Sequence, residues 1–121
     1  MALTHRLESF LAAHIDSVED LEILLLVARG TASWSAETAA ERLGIDTEVA
    51  RARLERLAAA GLLSREAGGF RYSPADDDTR RLVAELAREY ADRRANVINV
   101  IYSANLERLR KFADAFRLRK K

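Results

Sequence analysis

The segment 35–61 constrains the fold more than any other part of the chain. It contains a short amphipathic pattern over 36–43, then Gly44, then a second amphipathic pattern over about 47–60. A serine and an aspartate stand directly before the two patterns, where their side-chain oxygens can cap helix N-termini. Gly44 lacks a Cβ and permits a left-handed turn between the helices. The segment therefore predicts two short helices that are joined by a tight turn and share a small core.

Two further amphipathic helices are predicted upstream. The second of them covers about Val18–Arg29, begins behind Ser17 as N-cap and is expected to end at Gly30. The first covers 2–14, and its apolar side chains recur every three or four residues, which places them on one helix face. These residues are Leu3, Leu7, Phe10, Leu11 and His14.

The region after Gly61 has the pattern of a β-hairpin. Leu62–Glu66 and Phe70–Ser73 are predicted strands, and Ala67-Gly68-Gly69 supplies the positive φ that a tight turn requires. Pro74 cannot continue a strand ladder and marks the exit. Ser33-Trp34-Ser35 is short enough to be a minimal extra strand, with Trp34 packed against the base of the hairpin.

The order helix, short strand, helix, tight turn, helix, hairpin resembles the winged-helix bacterial transcription regulators of the broad MarR, ArsR and PadR kind. This resemblance implies a mostly α-helical fold with a small β-hairpin. An N-terminal helix and a winged helix-turn-helix would occupy 1–75, and a long C-terminal helical extension for dimerisation would occupy 76–121. The residues that carry it are Ala39-Ala40-Glu41-Arg42-Leu43-Gly44-Ile45-Asp46, then Val49, Leu54, Leu57, Gly61, Leu62 and Leu63.

The resemblance also implies which residues would contact DNA. The helix at about 47–60 would be the recognition helix in the major groove, and the wing at 65–71 would lie on the DNA backbone. The outward residues on the recognition helix are Thr47, Glu48, Arg51, Ala52 and Glu55, with Arg56 at the edge; Arg65 and Arg71 lie on the wing.

This surface departs from the pattern of the resembled regulators in its charge. Position 52 is often arginine in them and is Ala52 here. Glu48 and Glu55 can accept a hydrogen bond from cytosine N4, but they repel phosphate. Residues 1–75 hold 8 Arg and 11 Asp or Glu, a net charge of −3, whereas 76–121 hold 12 Lys or Arg and 8 Asp or Glu, a net charge of +4.

Two functions therefore stay open at the level of sequence. The first is a homodimeric transcriptional regulator that binds double-stranded DNA. The second is a winged-helix protein–protein interaction module, an adaptor with a protein partner, that does not bind DNA. The acidic side chains on the outward helix face favour the second, and the order of elements favours the first.

The C-terminal part predicts a long helix and a second, shorter one. Asp76-Asp77-Asp78 can cap a helix over about Thr79–Tyr102, because negative charge is favourable at a helix N-terminus. Ser103-Ala104-Asn105 is a candidate break. The last amphipathic helix would follow, with Leu106, Leu109, Phe112, Ala113 and Phe116 on its apolar face.

The stretch Val97–Tyr102 is apolar almost all round a helix and is interrupted only by Asn99. Either a second subunit covers it, or the first and last helices of the same chain do. A homodimer would use Val97, Ile98, Ile101 and Tyr102.

Several classes of function are not supported by any pattern. The chain has no Cys, so disulfides and thiolate metal sites are excluded, and two isolated histidines make a poor ligand set. We find no glycine-rich phosphate loop and no nucleophile–base pair, and expect neither a cofactor nor a metal nor enzymatic activity. Charged residues interrupt the N-terminal apolar stretch, and the longest apolar run is too short to span a bilayer. We expect a cytoplasmic protein without a membrane partner.

Overall fold

The computed structural model describes residues 3–119, and side chains for residues 3–115. This part of the chain is mostly helical, with one small two-stranded antiparallel sheet, as the sequence predicts. The elements are α1 (His5–His14), α2 (Val18–Val27), α3 (Ala36–Leu43), α4 (Thr47–Ala59), β1 (Leu63–Glu66), β2 (Gly69–Tyr72), α5 (Asp77–Asp92) and α6 (Arg94–Arg119).

The helices α1 to α5 each begin behind a polar side chain that accepts a hydrogen bond from a backbone N–H of the first turn. Such caps satisfy amide groups that have no partner inside the helix. The predicted caps of α2, α3 and α4 are confirmed. The five capping residues are Thr4, Ser17, Ser35, Asp46 and Asp76.

A left-handed glycine joins α3 to α4, as predicted. Gly44 has a φ of 69°. Directly after it, the N–H of Ile45 donates to the carbonyl of Ala40 at 3.0 Å, and Ile45 packs against the core. The methyl side chains of Ala39 and Ala40 are buried. The tight turn and the small side chains together let α3 pack closely against α4.

The hairpin forms in the expected place, with β1 beginning one residue later and β2 lying one residue earlier than predicted. β1 pairs with β2 from Leu63 opposite Tyr72 to Glu66 opposite Gly69. Trp34 adds an isolated antiparallel bridge to Phe70, with backbone N···O distances of 2.7 and 2.8 Å. Its half-buried side chain packs against the core, in agreement with the predicted packing at the base of the hairpin.

The core is built around α2. Leu21, Ile23, Leu24 and Val27 have no exposed surface. α2 packs against α3, α4 and β2, while α1 packs against α5 and α6. α2 ends at Val27, two residues before the predicted end. Gly30 does not have a left-handed conformation, so it does not end the helix in the predicted way.

The predicted helix break at Ser103-Ala104-Asn105 is wrong. α6 runs through it without interruption, and the break lies at Arg93, between α5 and α6, where φ is −137° and ψ is 57°. Asn105 has a tertiary role instead, because its side-chain amide donates to the backbone carbonyl of Asp16 at 2.8 Å. The side chain of Phe116 lies outside the described residues.

Candidate functional site

The outward face of α4 carries the residues that sequence reasoning selected. Among them, Glu48, Arg51, Ala52 and Arg56 are exposed, and Thr47 and Glu55 are half-buried. The opposite face is fixed in the core by fully or almost fully buried side chains, which are Ala50, Leu54 and Leu57. Since the buried face sets the rotation of the helix, the outward residues have a defined direction.

Arg51 lies in the middle of this face between two carboxylates. Its guanidinium is 3.1 Å from Glu37 Oε1 on α3 and 3.6 Å from Glu48 Oε1 on α4. The hydrogen bond to Glu37, with further help from Glu48, raises the pKa of Arg51 above its ordinary value. Arg51 therefore stays protonated and carries a positive charge at the centre of the outward face.

The hairpin lies beside the same face. Arg65 on β1 forms an ion pair with Glu55 on α4, so the strand and the helix present one continuous surface. Arg71 on β2 pairs across the hairpin with Glu66, at 3.1 Å between Nε and Oε1. We call the group Glu37, Glu48, Arg51, Glu55 and Arg65 the α4–hairpin surface.

The α4–hairpin surface is slightly acidic rather than basic. Each of its arginines has a carboxylate partner within the chain, and three of its five members are acidic. Ion pairs between exposed side chains contribute little to stability, because water screens them and the side chains lose rotamer freedom. These arginines can therefore exchange a carboxylate for another anion at low cost.

Arg56 does not join this surface. It forms ion pairs with Asp16 and, at 3.3 Å, with Asp20, beside the N-terminus of α2. Arg53, which sequence reasoning did not select, lies 3.5 Å from Asp20 and 3.8 Å from Glu19. Arg53 and Arg56 are three residues apart on α4 and therefore lie on the same side of the helix. This spacing was the sequence signal that both arginines share a carboxylate partner.

The predicted dimerisation residues separate into two groups. Val97 and Ile101 are 0% and 1% exposed within the single chain, in helix α6, which packs against α1 and α5. Ile98 is half-buried, and Tyr102 is 59% exposed. Further along α6 come Leu106, Leu109 and Phe112, which are 63%, 64% and 71% exposed. We call Tyr102, Leu106, Leu109 and Phe112 the α6 strip.

The described part of the chain offers no metal site and no membrane span. In residues 3–119, no group of three His, Cys, Asp or Glu side chains converges in a way that could hold a metal ion. None of the helices in that range is long and apolar enough to cross a bilayer.

Comparison of the chain with protein-family models, with curated proteins and with solved structures gave no significant match.

Proposed function

We propose that the chain is a winged-helix protein that binds double-stranded DNA as a homodimeric transcriptional regulator. The observation that carries this proposal is the continuity of the α4–hairpin surface. A capped helix with an exposed outward face stands beside a two-stranded hairpin, and the pair Glu55–Arg65 links them. This is the combination that a winged helix uses to bring a helix to the major groove and a wing to the backbone.

In this proposal Arg51 reads a base edge. A guanidinium can donate two hydrogen bonds to guanine O6 and N7, and Arg51 lies at the centre of the exposed helix face. Glu48 would accept from cytosine N4, for which a carboxylate is suited. Arg65 and Arg71 would leave their carboxylate partners and contact phosphates. These two arginines would neutralise phosphate charge without reading the base sequence.

The homodimer would form through the α6 strip. The four side chains occupy roughly a third of the circumference of α6, as follows from 100° per residue. A symmetric contact between two such strips would remove large apolar surface from water and bring two α4 helices to one duplex. Val97 and Ile101 would support this contact from inside each subunit.

A salt series tests the DNA proposal. The unmodified protein is titrated against random-sequence duplex and against a selected binding sequence. Arg51→Ala should weaken binding to the selected sequence roughly tenfold to a hundredfold and relax its preference. Arg71→Ala should weaken binding to all duplexes and reduce the salt slope by about one.

Arg88→Ala is the matched control. Arg88 is exposed on α5, so this substitution removes the same charge at a place away from the α4–hairpin surface. Failure of the unmodified protein to bind any duplex at low salt would overturn the proposal, as would an equal loss from Arg88→Ala and Arg51→Ala.

A second candidate is an interaction module for a basic protein partner. The specific observation in its favour is the pairing of Arg51 and Arg65 with carboxylates of the same surface. Glu48 would then be the contacting group, since its side chain is 80% exposed.

The double variant Glu48→Gln with Glu55→Gln separates the two candidates. Under the interaction proposal the unmodified protein does not bind duplex DNA at low salt. The double variant gains affinity for it, because two carboxylates that repel the phosphates have been neutralised. Under the DNA proposal the unmodified protein already binds, and Arg51→Ala removes its preference.

A further inference from the structure

A cavity lies away from the α4–hairpin surface, where α2, β2 and α5 meet. Its volume is about 220 Å³. Leu25 on α2 and Ala28 directly after it line one side, and Val83 and Ala87 on α5 line the other. These walls are apolar, which suits the hydrocarbon part of a small molecule. The volume is below the range usual for drug-sized ligands, so a small occupant is indicated.

Tyr72, at the end of β2, supplies a polar group in the same cavity. Its hydroxyl oxygen is buried and has no hydrogen-bond partner among the described residues. Burial raises the pKa of Tyr72, so the hydroxyl keeps its proton at neutral pH and can donate. Buried hydroxyls in proteins are usually hydrogen-bonded, and this one lacks an acceptor although its residue lines the cavity.

Two guanidinium groups complete the lining. Arg29 lies two residues after the end of α2, and Arg80 comes from α5, with its guanidinium carbon 5.5 Å from the centre of the Tyr72 ring. Within residues 3–115, ten of the fifteen arginines form ion pairs with carboxylates, and Arg29 and Arg80 are among the five that do not. Arg29 also lines two adjoining grooves along α2. The cavity therefore has an excess of positive charge without an internal partner.

We propose that this cavity binds a small carboxylic acid with an apolar body. The carboxylate would lie between Arg29 and Arg80, since a planar guanidinium matches a carboxylate with two parallel hydrogen bonds. Tyr72 would donate to the same carboxylate. The apolar body would pack on Leu25, Val83 and Ala87.

The apolar walls distinguish this occupant from a free inorganic anion. Phosphate would satisfy the two guanidinium groups but would leave Leu25, Val83 and Ala87 without contact. An acid with a ring or a short chain uses both parts of the cavity. The proposal does not depend on DNA binding, because the lining comes from α2, β2 and α5 and includes no residue of the α4–hairpin surface.

Binding of defined probes to the unmodified protein tests the proposal. Phenylacetate and hexanoate should bind saturably, with a dissociation constant on the order of 1 mM or tighter, as measured by two-dimensional NMR. Phenylacetamide lacks the charge, acetate lacks the apolar body, and inorganic phosphate lacks both the body and the planar shape. Each of these three should bind at least about tenfold more weakly, the difference expected from one lost charge-assisted contact or one lost apolar body.

Three variants assign the binding to this cavity. Arg80→Gln should weaken phenylacetate binding about tenfold, as expected for loss of a charged hydrogen bond. Tyr72→Phe should weaken it several-fold and leave the unliganded protein at least as stable, because an unpartnered buried hydroxyl is removed. Ala84→Leu should fill the opening and abolish binding while α5 keeps its helical propensity.

Arg81→Gln is the matched control, because Arg81 is exposed next to Arg80 but does not line the cavity. The proposal is overturned if neither acid binds when its concentration is about tenfold above the expected dissociation constant. It is also overturned if phosphate binds as tightly as phenylacetate, or if Arg81→Gln weakens binding as much as Arg80→Gln does.

Discussion

Asp20 is a carboxylate with only 1% of its surface exposed, and it is held by contacts from α4 and from the loop that precedes α2. Its Oδ2 accepts from the backbone N–H of Asp16 at 3.0 Å and from Arg56 at 3.3 Å. Arg53 lies 3.5 Å from Oδ1, and the backbone N–H of Asp20 donates to Ser17 at 3.1 Å. Because a buried charge is costly without partners, this arrangement ties α4 to the start of α2.

We predict that Asp20→Asn destabilises the protein by about 2–4 kcal/mol, because it leaves two arginines facing a neutral group and removes an acceptor from a buried site. Asp16→Asn should cost about 1 kcal/mol or less, since Asp16 is 41% exposed and solvent screens its ion pairs. Urea unfolding followed by circular dichroism measures both. Equal losses in the two variants would contradict the role assigned to Asp20.

The same cluster explains which site residues a sequence can predict. A helical wheel gives the direction of Arg51 and Arg56 correctly, since both are exposed on α4. It does not give the partner, because Asp16 and Asp20 lie 40 and 36 positions away. Arg56 therefore belongs to the packing of α4 on α2, although its position at the edge of the face fitted a DNA contact equally well.

The hairpin depends on two adjacent glycines for two different reasons. Gly68 has a φ of 82°, which L-residues with a side chain rarely adopt. Gly69 does not have a positive φ, but a Cβ there would lie 2.7 Å from the carbonyl oxygen of Trp34 and 2.8 Å from Ser33 Oγ. The sequence predicts the turn from the Gly-Gly pair, but the close approach at Gly69 depends on the tertiary bridge between Trp34 and Phe70.

We therefore predict different signatures for two alanine variants. Gly68→Ala should cost about 1–2 kcal/mol through backbone strain and leave the surroundings of Trp34 unchanged. Gly69→Ala should displace the Trp34 backbone and cost about 1–3 kcal/mol, as overpacking does. The chain has a single tryptophan, so its fluorescence reports this site directly. An unchanged emission spectrum in Gly69→Ala, or a shifted one in Gly68→Ala, would argue against this assignment.

The helix boundaries show where local signals lose to tertiary contacts. No Gly or Pro marks Arg93, yet α5 ends before it, and α6 begins directly after it. Arg94, the first residue of α6, pairs with Glu22 on α2 at 2.9 Å and donates to Tyr90 at 3.0 Å. The contact with Glu22 reaches across the fold, whereas the contact with Tyr90 spans only the bend itself. Ser103-Ala104-Asn105 has turn-like composition and remains helical. Capping residues were predictable because they act within four positions; the α5–α6 bend was not.

Apolar surface is unevenly distributed over the molecule. The large hydrophobic side chains that remain mostly exposed within residues 3–115 all belong to the α6 strip, and the buried residues form one continuous core. Contiguous exposed apolar surface usually marks a contact with another molecule. The sequence left open whether a second subunit or the same chain covers Val97–Tyr102; the same chain buries Val97 and Ile101, whereas Tyr102 is 59% exposed.

Two aspartate substitutions on one helix separate folding from association. Ile101→Asp places a charge where 1% of the surface is exposed, so it should unfold the chain or reduce its stability by several kcal/mol. Leu109→Asp places the same charge where 64% is exposed, so the helical content and the melting temperature of the monomer should persist. If the α6 strip holds two copies together, Leu109→Asp should convert a dimer into a monomer at micromolar concentration, as measured by light scattering coupled to size exclusion. Arg110→Asp, on the polar side of the same helix, is the control and should remain dimeric. A monomeric unmodified protein would remove the dimer from the proposed function, and DNA binding would then have to proceed through one α4 helix at a time.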